Sequence, residues 1–513
     1  MPPEKFDGQS DDTCRCDQDL VVPRVKDEHD LTRKGVILRQ VIFALLLALA
    51  IKPVWWAPGG DAPNYLGIAR ALAQDGQLTC LGNEHLYYPP GVSFFYAPAF
   101  WTGDRPFLLL SIFQRLASIL VMLCGYRWLR QWLNRDRSIL IIALFLFNMS
   151  TWGYYLRFLS EMWFCALLFG LAVIYHMLYQ AMDQKQLGKA WAWALLSIPM
   201  LGWLILTRVV GVFIAGGLGL SLLAACLSWK CRKRWAHGLA IAVLLNALGG
   251  AFACGWISYE KSLAEAQQER TYTNHAFEHQ QDQSSFQILT DNVHRRINTV
   301  GRLVVPGLFR TYAEDGHWLN ALMLLYVPLS LLVLWGYIRL IRHNRDALVW
   351  MVPLYVGMYL IWPYGQGTRF FIPIFPVILL SLYKVVETKK WCNTLLIVML
   401  ITHMIVTVGR VASEYPKQIQ RHQRWPAIDA LVEHIHKIDQ VDPSQQIVTR
   451  DIDSDITGMI KFAADRPVEL GRSYQQVAAP DYLIISQNAT VPDGYSFEFV
   501  VEKLLMVKRN VKP

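Results

Sequence analysis

About eleven stretches of this 513-residue chain are apolar over the length, or nearly the length, that crosses a bilayer as a helix. They begin near Val36, Pro106, Ser138, Glu161, Ala190, Val209, Ala236, Trp318, Ala347, Phe370 and Trp391. Several contain Pro or Gly, which membrane helices tolerate. Breaks near Trp152 and Thr207 separate neighbouring segments. Only 17% of the residues are charged against 53% hydrophobic, a balance that a soluble chain of this size does not carry. No signal-peptide cleavage pattern precedes the first apolar run, which reads as a retained span. The expected architecture is a mainly α, polytopic membrane protein with a small soluble α/β domain at its C-terminal end.

A formal net charge of +9 could point to nucleic acid, but the placement of the basic residues argues against it. They fall in alternate loops: Arg127, Arg130, Arg135 and Arg137; Lys185 and Lys189; Lys230, Arg232, Lys233 and Arg234; Arg339, Arg342 and Arg345; Lys384, Lys389 and Lys390. That is the positive-inside pattern. With the N-terminus in the cytoplasm it puts residues 55–105, residues 259–317 and the C-terminal tail on the outer face. The nine cysteines are scattered, several of them inside spans, which speaks against a disulfide framework. Cys14 and Cys16 form a C-x-C in a polar lead, and two thiols do not make a zinc site.

Three regions follow. Residues 1–35 are a polar cytoplasmic lead, expected to be disordered. Residues 36–411 form the membrane domain. Residues 412–513 form the outer α/β domain, with a helix over Ala427–Ile438 and strands at 446–449, 481–485 and 497–507. No internal repeat is visible. The second half of the long outer loop, Phe286–Phe309, spaces Ile288, Val293, Ile297, Val300 and Val304 as a helix, with Arg295, Arg296 and Arg302 between them. This helix either lies in the membrane interface or packs on the protein.

The candidate chemistry begins at Gly60-Asp61-Ala62-Pro63-Asn64-Tyr65, where the first span gives way to the outer face. Asp61 has two readings. Followed by Pro63 and an apolar face of Leu66, Ala69, Leu72 and Ala73, it is a good helix N-cap. Facing water at the membrane mouth, it is also placed to act as a general base toward an acceptor hydroxyl. A lipid-phosphate leaving group needs no proton, so one carboxylate suffices there, unlike the pair used by most glycoside hydrolases. The leaving group does need positive charge. Arg157, Arg208 and Arg369 sit at the outer ends of spans, where they either snorkel to headgroups or bind phosphate. Glu161 starts a span behind Ser160. It reads either as a first-turn acid that suits the helix dipole, with Ser160 as the cap, or as a holder of acceptor, of Arg157 or of a metal. Tyr87, Tyr88, Pro89 and Pro90 make a stiff aromatic corner or part of an interfacial belt. His85 and His317 lack paired ligand spacing, so no metal or other cofactor is expected. Asn148-Met149-Ser150 and Asn488-Ala489-Thr490 match the glycosylation sequon.

Five motifs taken together resemble the GT-C superfamily of integral-membrane glycosyltransferases. They are Asp61-x-x-x-Tyr65 with Ala69-Arg70-x-Leu72, Tyr88-Pro89-Pro90-Gly91, Ser160-Glu161, Thr207-Arg208-x-x-Gly211, and Arg369-Phe370-x-x-Pro373-x-x-Pro376. The nearest branch resembles the protein O-mannosyltransferase and lipid A aminoarabinose transferase group. The resemblance implies a polyprenyl- or dolichyl-phosphate sugar donor, inversion at the anomeric carbon, and a catalytic Asp in the first outer loop, which maps onto Asp61. Many relatives place a second acid directly after that Asp, where this chain has Ala62. The resulting expectation is a transferase in the bacterial inner membrane, working on its periplasmic face. Asp61 is the base, and Arg208, Arg369 and Arg157 are the phosphate ligands. Tyr65, Tyr88 and Glu161 line the cavity, membrane lipids surround the chain, and the acceptor hydroxyl belongs to a glycolipid, polysaccharide or protein. Two rival readings are a flippase for a lipid-linked sugar and a non-catalytic relative of the same fold. Against the flippase stand the lack of an internal pseudo-repeat and of mid-span charges for coupling.

Overall fold

The computed structural model describes residues 61–80, 83–84, 88–155, 157–227, 232–267, 285–305, 316–342, 346–362, 367–441, 445, 447–450, 454–465, 469–471, 481–486, 492, 495–501 and 504–509. Seven described helical segments are long and apolar enough to cross a membrane: Phe107–Leu129, Ser160–Asp183, Leu187–Thr207, His237–Leu263, Met323–Arg342, Gly367–Val386 and Cys392–Arg421. The chain is an integral membrane protein. Three further apolar segments form the shorter helices Arg135–Leu146, Val212–Leu227 and Ala347–Ile361. The expected span near Val36 lies outside the described residues, as do Cys14, Cys16, His85, Tyr87 and Asn488. The chain breaks where the sequence suggested. A separate helix, Met149–Tyr155, covers Trp152, and Arg208 is extended (φ −156°, ψ 125°) between two helices.

Burial sorts the helices. The most apolar windows of Ser160–Asp183 and Gly367–Val386 are each 72% buried inside the protein, against 17% for Met323–Arg342 and 22% for Cys392–Arg421. The first two run through the centre of the bundle, and the last two turn Leu324, Leu331, Val398 and Ile405 outward. In lipid such exposed apolar side chains cost nothing, and helices associate through close packing and internal hydrogen bonds instead. At Gly217 the Val212–Leu227 helix meets the backbone of Ala347 and Met351 so closely that a Cβ has no room.

β1 (Thr79–Cys80) and β2 (Asn83–Glu84) pair antiparallel in the first loop. The C-terminal unit adds β3 (Ile447–Arg450), β4 (Glu469–Gly471), β5 (Tyr482–Ser486), β6 (Tyr495–Val501) and β7 (Leu504–Arg509), which form a five-stranded mixed sheet of order β4-β3-β5-β7-β6. β3 pairs in parallel with β4 and β5. β7 runs antiparallel to β5 and to β6. The single strand expected over 497–507 is therefore a hairpin, with the polar pair Glu502-Lys503 between its arms. β4 and the Ser454–Ala464 helix escaped the sequence reading. β4 is only three residues long, and the helix begins in a polar Ser-Asp pair that hides the buried Ile456, Met459 and Ile460.

The unit docks directly on the first loop of the membrane domain. Arg70 donates to the carbonyl of Phe462 (3.0 Å) and pairs with Asp465. Arg105 pairs with Asp429 and lies over the Trp425 ring, on which Phe107 also stacks. The Ala62–Gln74 helix is thereby clamped between the bundle and the C-terminal unit.

The Ser285–Val304 helix packs on the protein through its polar side. Asn292, Arg296, Thr299 and Leu303 are buried, while Phe286, Leu289 and Val293 are exposed. The packing reading of the sequence holds, and a stripe of the helix's apolar residues still faces outward.

Candidate functional site

Four elements end at one place, each delivering one charged side chain. Asp61 stands at the N-cap position of the Ala62–Gln74 helix, where its carbonyl accepts from Asn64 and Tyr65 N–H. Its side chain makes no capping bond. It turns instead to Arg369, whose Nη1 reaches Oδ2 at 2.5 Å, and its Oδ1 accepts from the Tyr88 hydroxyl at 3.1 Å. The capping reading of Asp61 thus holds for the backbone and fails for the carboxylate.

Glu161 enters from the first turn of the Ser160–Asp183 helix and is fully buried. Its Oε1 accepts from Arg369 Nε and from Arg208 Nη1, the latter at 3.3 Å. Its Oε2 is buried with no hydrogen-bond partner among the described residues. Ser160 does not cap this helix, because Leu159 holds the N-cap position and no side-chain cap bond forms. The Ser160 hydroxyl accepts from Tyr65 Oη (3.3 Å) instead. Burial pushes the Tyr65 phenol up to about 12, so it keeps its proton and acts as a donor at any working pH.

Arg208 comes from the extended break after Leu187–Thr207, and Arg369 from the 3-10 segment Gly367–Ile374. Both guanidinium groups are nearly buried, at 13% and 15% exposed, while Asp61 keeps 27% of its side chain open. Arg208 sits over the rings of Phe164 and Phe370 at 5.8 and 5.5 Å. Two carboxylates and two arginines therefore close a neutral cluster, and one carboxylate oxygen in it lacks a donor.

The first loop is fastened to the Arg208 break by backbone contact. A Cβ on Gly91 would sit 2.5 Å from Leu206 C and Thr207 N, so only glycine fits there. Trp203 Nε1 donates to the Gly91 carbonyl (2.9 Å), and Ser93 donates to the Tyr65 carbonyl (2.8 Å). The Tyr88-Pro89-Pro90-Gly91 corner joins Asp61 to Arg208 through these bonds. Tyr88 also rests against Tyr65, with ring centroids 5.2 Å apart.

Of the residues singled out from sequence, Asp61, Glu161, Arg208, Arg369, Tyr65 and Tyr88 come together here. Arg157 does not join the ion pairs. It is exposed in the link between Met149–Tyr155 and Ser160–Asp183, and its carbonyl accepts from Gln114. Ala62 is fully buried, so at this position the chain presents Asp61 without a neighbouring acid. Among the described residues no group of three or more His, Cys, Asp or Glu could hold a metal ion. The sequence reading passed over Ser93, Tyr355 and Tyr359, and took Gly91 only as the last residue of the Tyr88-Pro89-Pro90-Gly91 motif.

The same arrangement of helices occurs in solved structures. ArnT from Cupriavidus metallidurans bound to undecaprenyl phosphate superposes with a TM-score of 0.54 at 13% identity, over 94% of this chain and 99% of that one. The archaeal oligosaccharyltransferase AglB from Archaeoglobus fulgidus, in complex with an inhibitory peptide and a dolichol-phosphate, gives 0.52 at 11% identity, over 89% and 70%. The chain shares its fold with these GT-C glycosyltransferase structures. The sequence matches no protein-family model and no curated protein. At such identities the likeness speaks for the fold alone, and the chemistry has to be argued from the cluster itself.

Proposed function

We propose that this protein is an inverting glycosyltransferase that moves a sugar from a polyprenyl-phosphate donor to an acceptor hydroxyl. The observation that carries the reading is the meeting of Asp61, Arg369, Glu161 and Arg208 at the ends of four elements. The partly open Asp61 carboxylate pairs with Arg369, and the buried Glu161 links Arg369 to Arg208, in a largely buried setting where charge is worth more than in water. The solved structures of the same fold, bound to undecaprenyl phosphate and to a dolichol-phosphate, are consistent with a lipid phosphate here.

In this reading the donor phosphodiester lies against Arg208 and Arg369 and competes with Glu161 and Asp61 for their N–H donors. The acceptor oxygen attacks the anomeric carbon from the face opposite the phosphate. The new C–O bond forms as the bond to the phosphate oxygen breaks, the polyprenyl phosphate leaves with the electron pair, and the acceptor proton passes to Asp61. A single displacement inverts the anomeric centre. The growing charge on the leaving phosphate is met by arginines already in place, the kind of fixed electrostatic stabilisation that lowers barriers most. Tyr88 orients the Asp61 carboxylate, Tyr65 lines the cavity, and Arg157 is an outer cation available to the donor's headgroup. In this reading the N-terminus is cytoplasmic, in keeping with the basic loops, and the site faces the periplasm from a bacterial inner membrane.

The test is sugar transfer by purified protein in lipid nanodiscs, with a panel of labelled polyprenyl-phosphate sugars and membrane-derived acceptors. Asp61→Asn should lose transfer by about 10²–10⁴-fold, the range for a lost general base, while still binding donor. Near-normal transfer by Asp61→Asn would falsify the assignment of the base.

A further inference from the structure

The Ser285–Val304 helix presents an unusual face to the bundle. Asn292 and Arg296, one turn apart and so on the same side, are both buried. Asn292 Nδ2 donates to the carbonyls of Leu360 (2.8 Å) and Trp362 (3.1 Å). Arg296 donates through Nη2 (2.9 Å) and Nε (3.2 Å) to the carbonyl of Tyr359. These carbonyls belong to the C-terminal end of Ala347–Ile361, where a helix leaves its last C=O groups without partners and where a cation suits the dipole. Meanwhile Phe286, Leu289 and Val293 point outward, 75%, 42% and 40% exposed. In this half of the helix polar bonds do the docking, and apolar burial contributes little.

What those bonds hold is next to the charged cluster. The Tyr359 ring stacks on Phe370 with centroids 4.2 Å apart and planes 19° from parallel. The Tyr355 hydroxyl, one turn earlier on the same helix, donates to the Phe370 carbonyl at 2.8 Å. Phe370 follows Arg369 directly and lies under the Arg208 guanidinium. The Ser285–Val304 helix also packs against the Gly367–Ile374 segment itself. A shift of the Tyr359 turn therefore moves the backbone that carries Arg369.

We infer that Arg296 is a positioning residue for the donor-phosphate site, acting through Tyr359 and Phe370 to hold Arg369 where it meets Asp61 and Glu161. Arg296 touches neither donor nor reacting atoms. The inference rests on the phosphate-site reading above, and it adds a residue from a different loop to that site.

The experiment uses the full chain in nanodiscs and two readouts: binding of undecaprenyl phosphate without turnover, and donor KM and kcat in the transfer assay. Arg296→Ala should weaken undecaprenyl phosphate binding about tenfold, a change of about 1.4 kcal/mol, and raise donor KM in step, with kcat moved much less. Arg296→Lys should recover most of the binding, because its ammonium can still donate to the Tyr359 carbonyl. Thr407→Ala serves as the control. It removes a buried bond to the Phe147 carbonyl elsewhere in the bundle and should leave both readouts unchanged. Wild-type binding by Arg296→Ala overturns the inference, as does an equal loss in Thr407→Ala or a loss that Arg296→Lys fails to restore. If Arg296→Ala does not fold, Arg296→Gln keeps one donor and gives the same comparison. Wild-type protein that binds no undecaprenyl phosphate overturns the donor-site reading itself and the inference with it.

Discussion

Two buried carboxylates, each at the start of a bundle helix, show how different a charged group's surroundings can be at the same kind of address. Asp346 is the N-cap of Ala347–Ile361, and its oxygens accept from Val349 N–H (3.0 Å), Trp128 Nε1 (2.9 Å) and Gln131 Nε2 (3.1 Å). Its donors are all neutral, and among the described residues no cation pairs with it. Glu161 sits in the first turn of Ser160–Asp183 with two arginines on one oxygen and no donor on the other. Asp346 spends its acceptors on capping its own helix and tying it to the end of Phe107–Leu129. Glu161 keeps two cations in place and leaves part of its own hydrogen-bonding capacity unused, which suits the phosphate site proposed above.

The strongest way to break this comparison is to remove each charge in turn. Breaking a buried pair by deleting one partner costs about 3–5 kcal/mol, because the remaining charges stay uncompensated. Glu161→Ala should therefore lower sugar transfer by about 10²–10³-fold, as Arg208 and Arg369 lose the group that sets their spacing. Rate measurements at saturating donor check this. Transfer within a few-fold of wild type would make Glu161 a second Asp346, and the contrast would collapse.

The next effect approaches the cluster from the Arg208 side. Gly91→Ala pushes a methyl into the Leu206–Thr207 backbone, an overpacking that costs about 1–3 kcal/mol. Because the neighbouring residue is Arg208, we expect transfer to fall about tenfold or more at that cost. Gly250→Ala, with nothing within 4 Å of the added methyl, should change nothing in the same assay. Equal rates for the two variants would show that the first loop and the Arg208 break are not coupled.

How much of this was legible in sequence follows from the range of each interaction. Apolar runs are local, and ten of the eleven expected starts fall on described helices or directly before them, with a break at Arg208 and a separate short helix around Trp152. Asp61, Glu161, Arg208 and Arg369 stood out because a charge at a span end is rare enough to notice. Their pairing could not be read, since Arg369 lies 308 residues from Asp61 and 208 from Glu161. The same local reading misled at Ser160 and Asp61, where a good capping residue directs its side chain to a distant partner. Arg296 looked like one of three arginines spacing an interfacial helix, and only tertiary contact separates it from the exposed Arg295. Tyr355 and Tyr359 gave no signal at all, being aromatic residues in an apolar run.

On the Asp346 side of the comparison, effects should be seen in stability and not in chemistry. Asp346→Ala leaves Trp128 Nε1, Gln131 Nε2 and the first turn of Ala347–Ile361 without their acceptor. Orphaned buried donors cost about 1–3 kcal/mol. Thermal unfolding in lipid should come at lower temperature, while transfer per folded molecule stays at the wild-type value. A loss of transfer beyond the loss of folded protein would place Asp346 in the functional network after all.

The smallest effect is a pH dependence, and its sign separates Asp346 from an ion-paired acid. Burial pushes the Asp346 carboxyl up to about 6 from its ordinary 3.8, against the downward pull of its hydrogen bonds. Between those two values the folded protein holds a proton on Asp346 that the unfolded chain has lost. The unfolded state binds fewer protons there, so stability falls as pH rises from about 4 to about 6 and is flat for this group above that. A carboxylate stabilised mainly by a cation would give the opposite slope. Asp346→Asn keeps a capping oxygen without a titrating proton, so the difference in unfolding temperature between wild type and Asp346→Asn should change steadily across that window and level off above about pH 6. A difference that stays constant from pH 4 to 7 would mean that Asp346 titrates alike in both states, and that its neutral donors offset the whole cost of its burial.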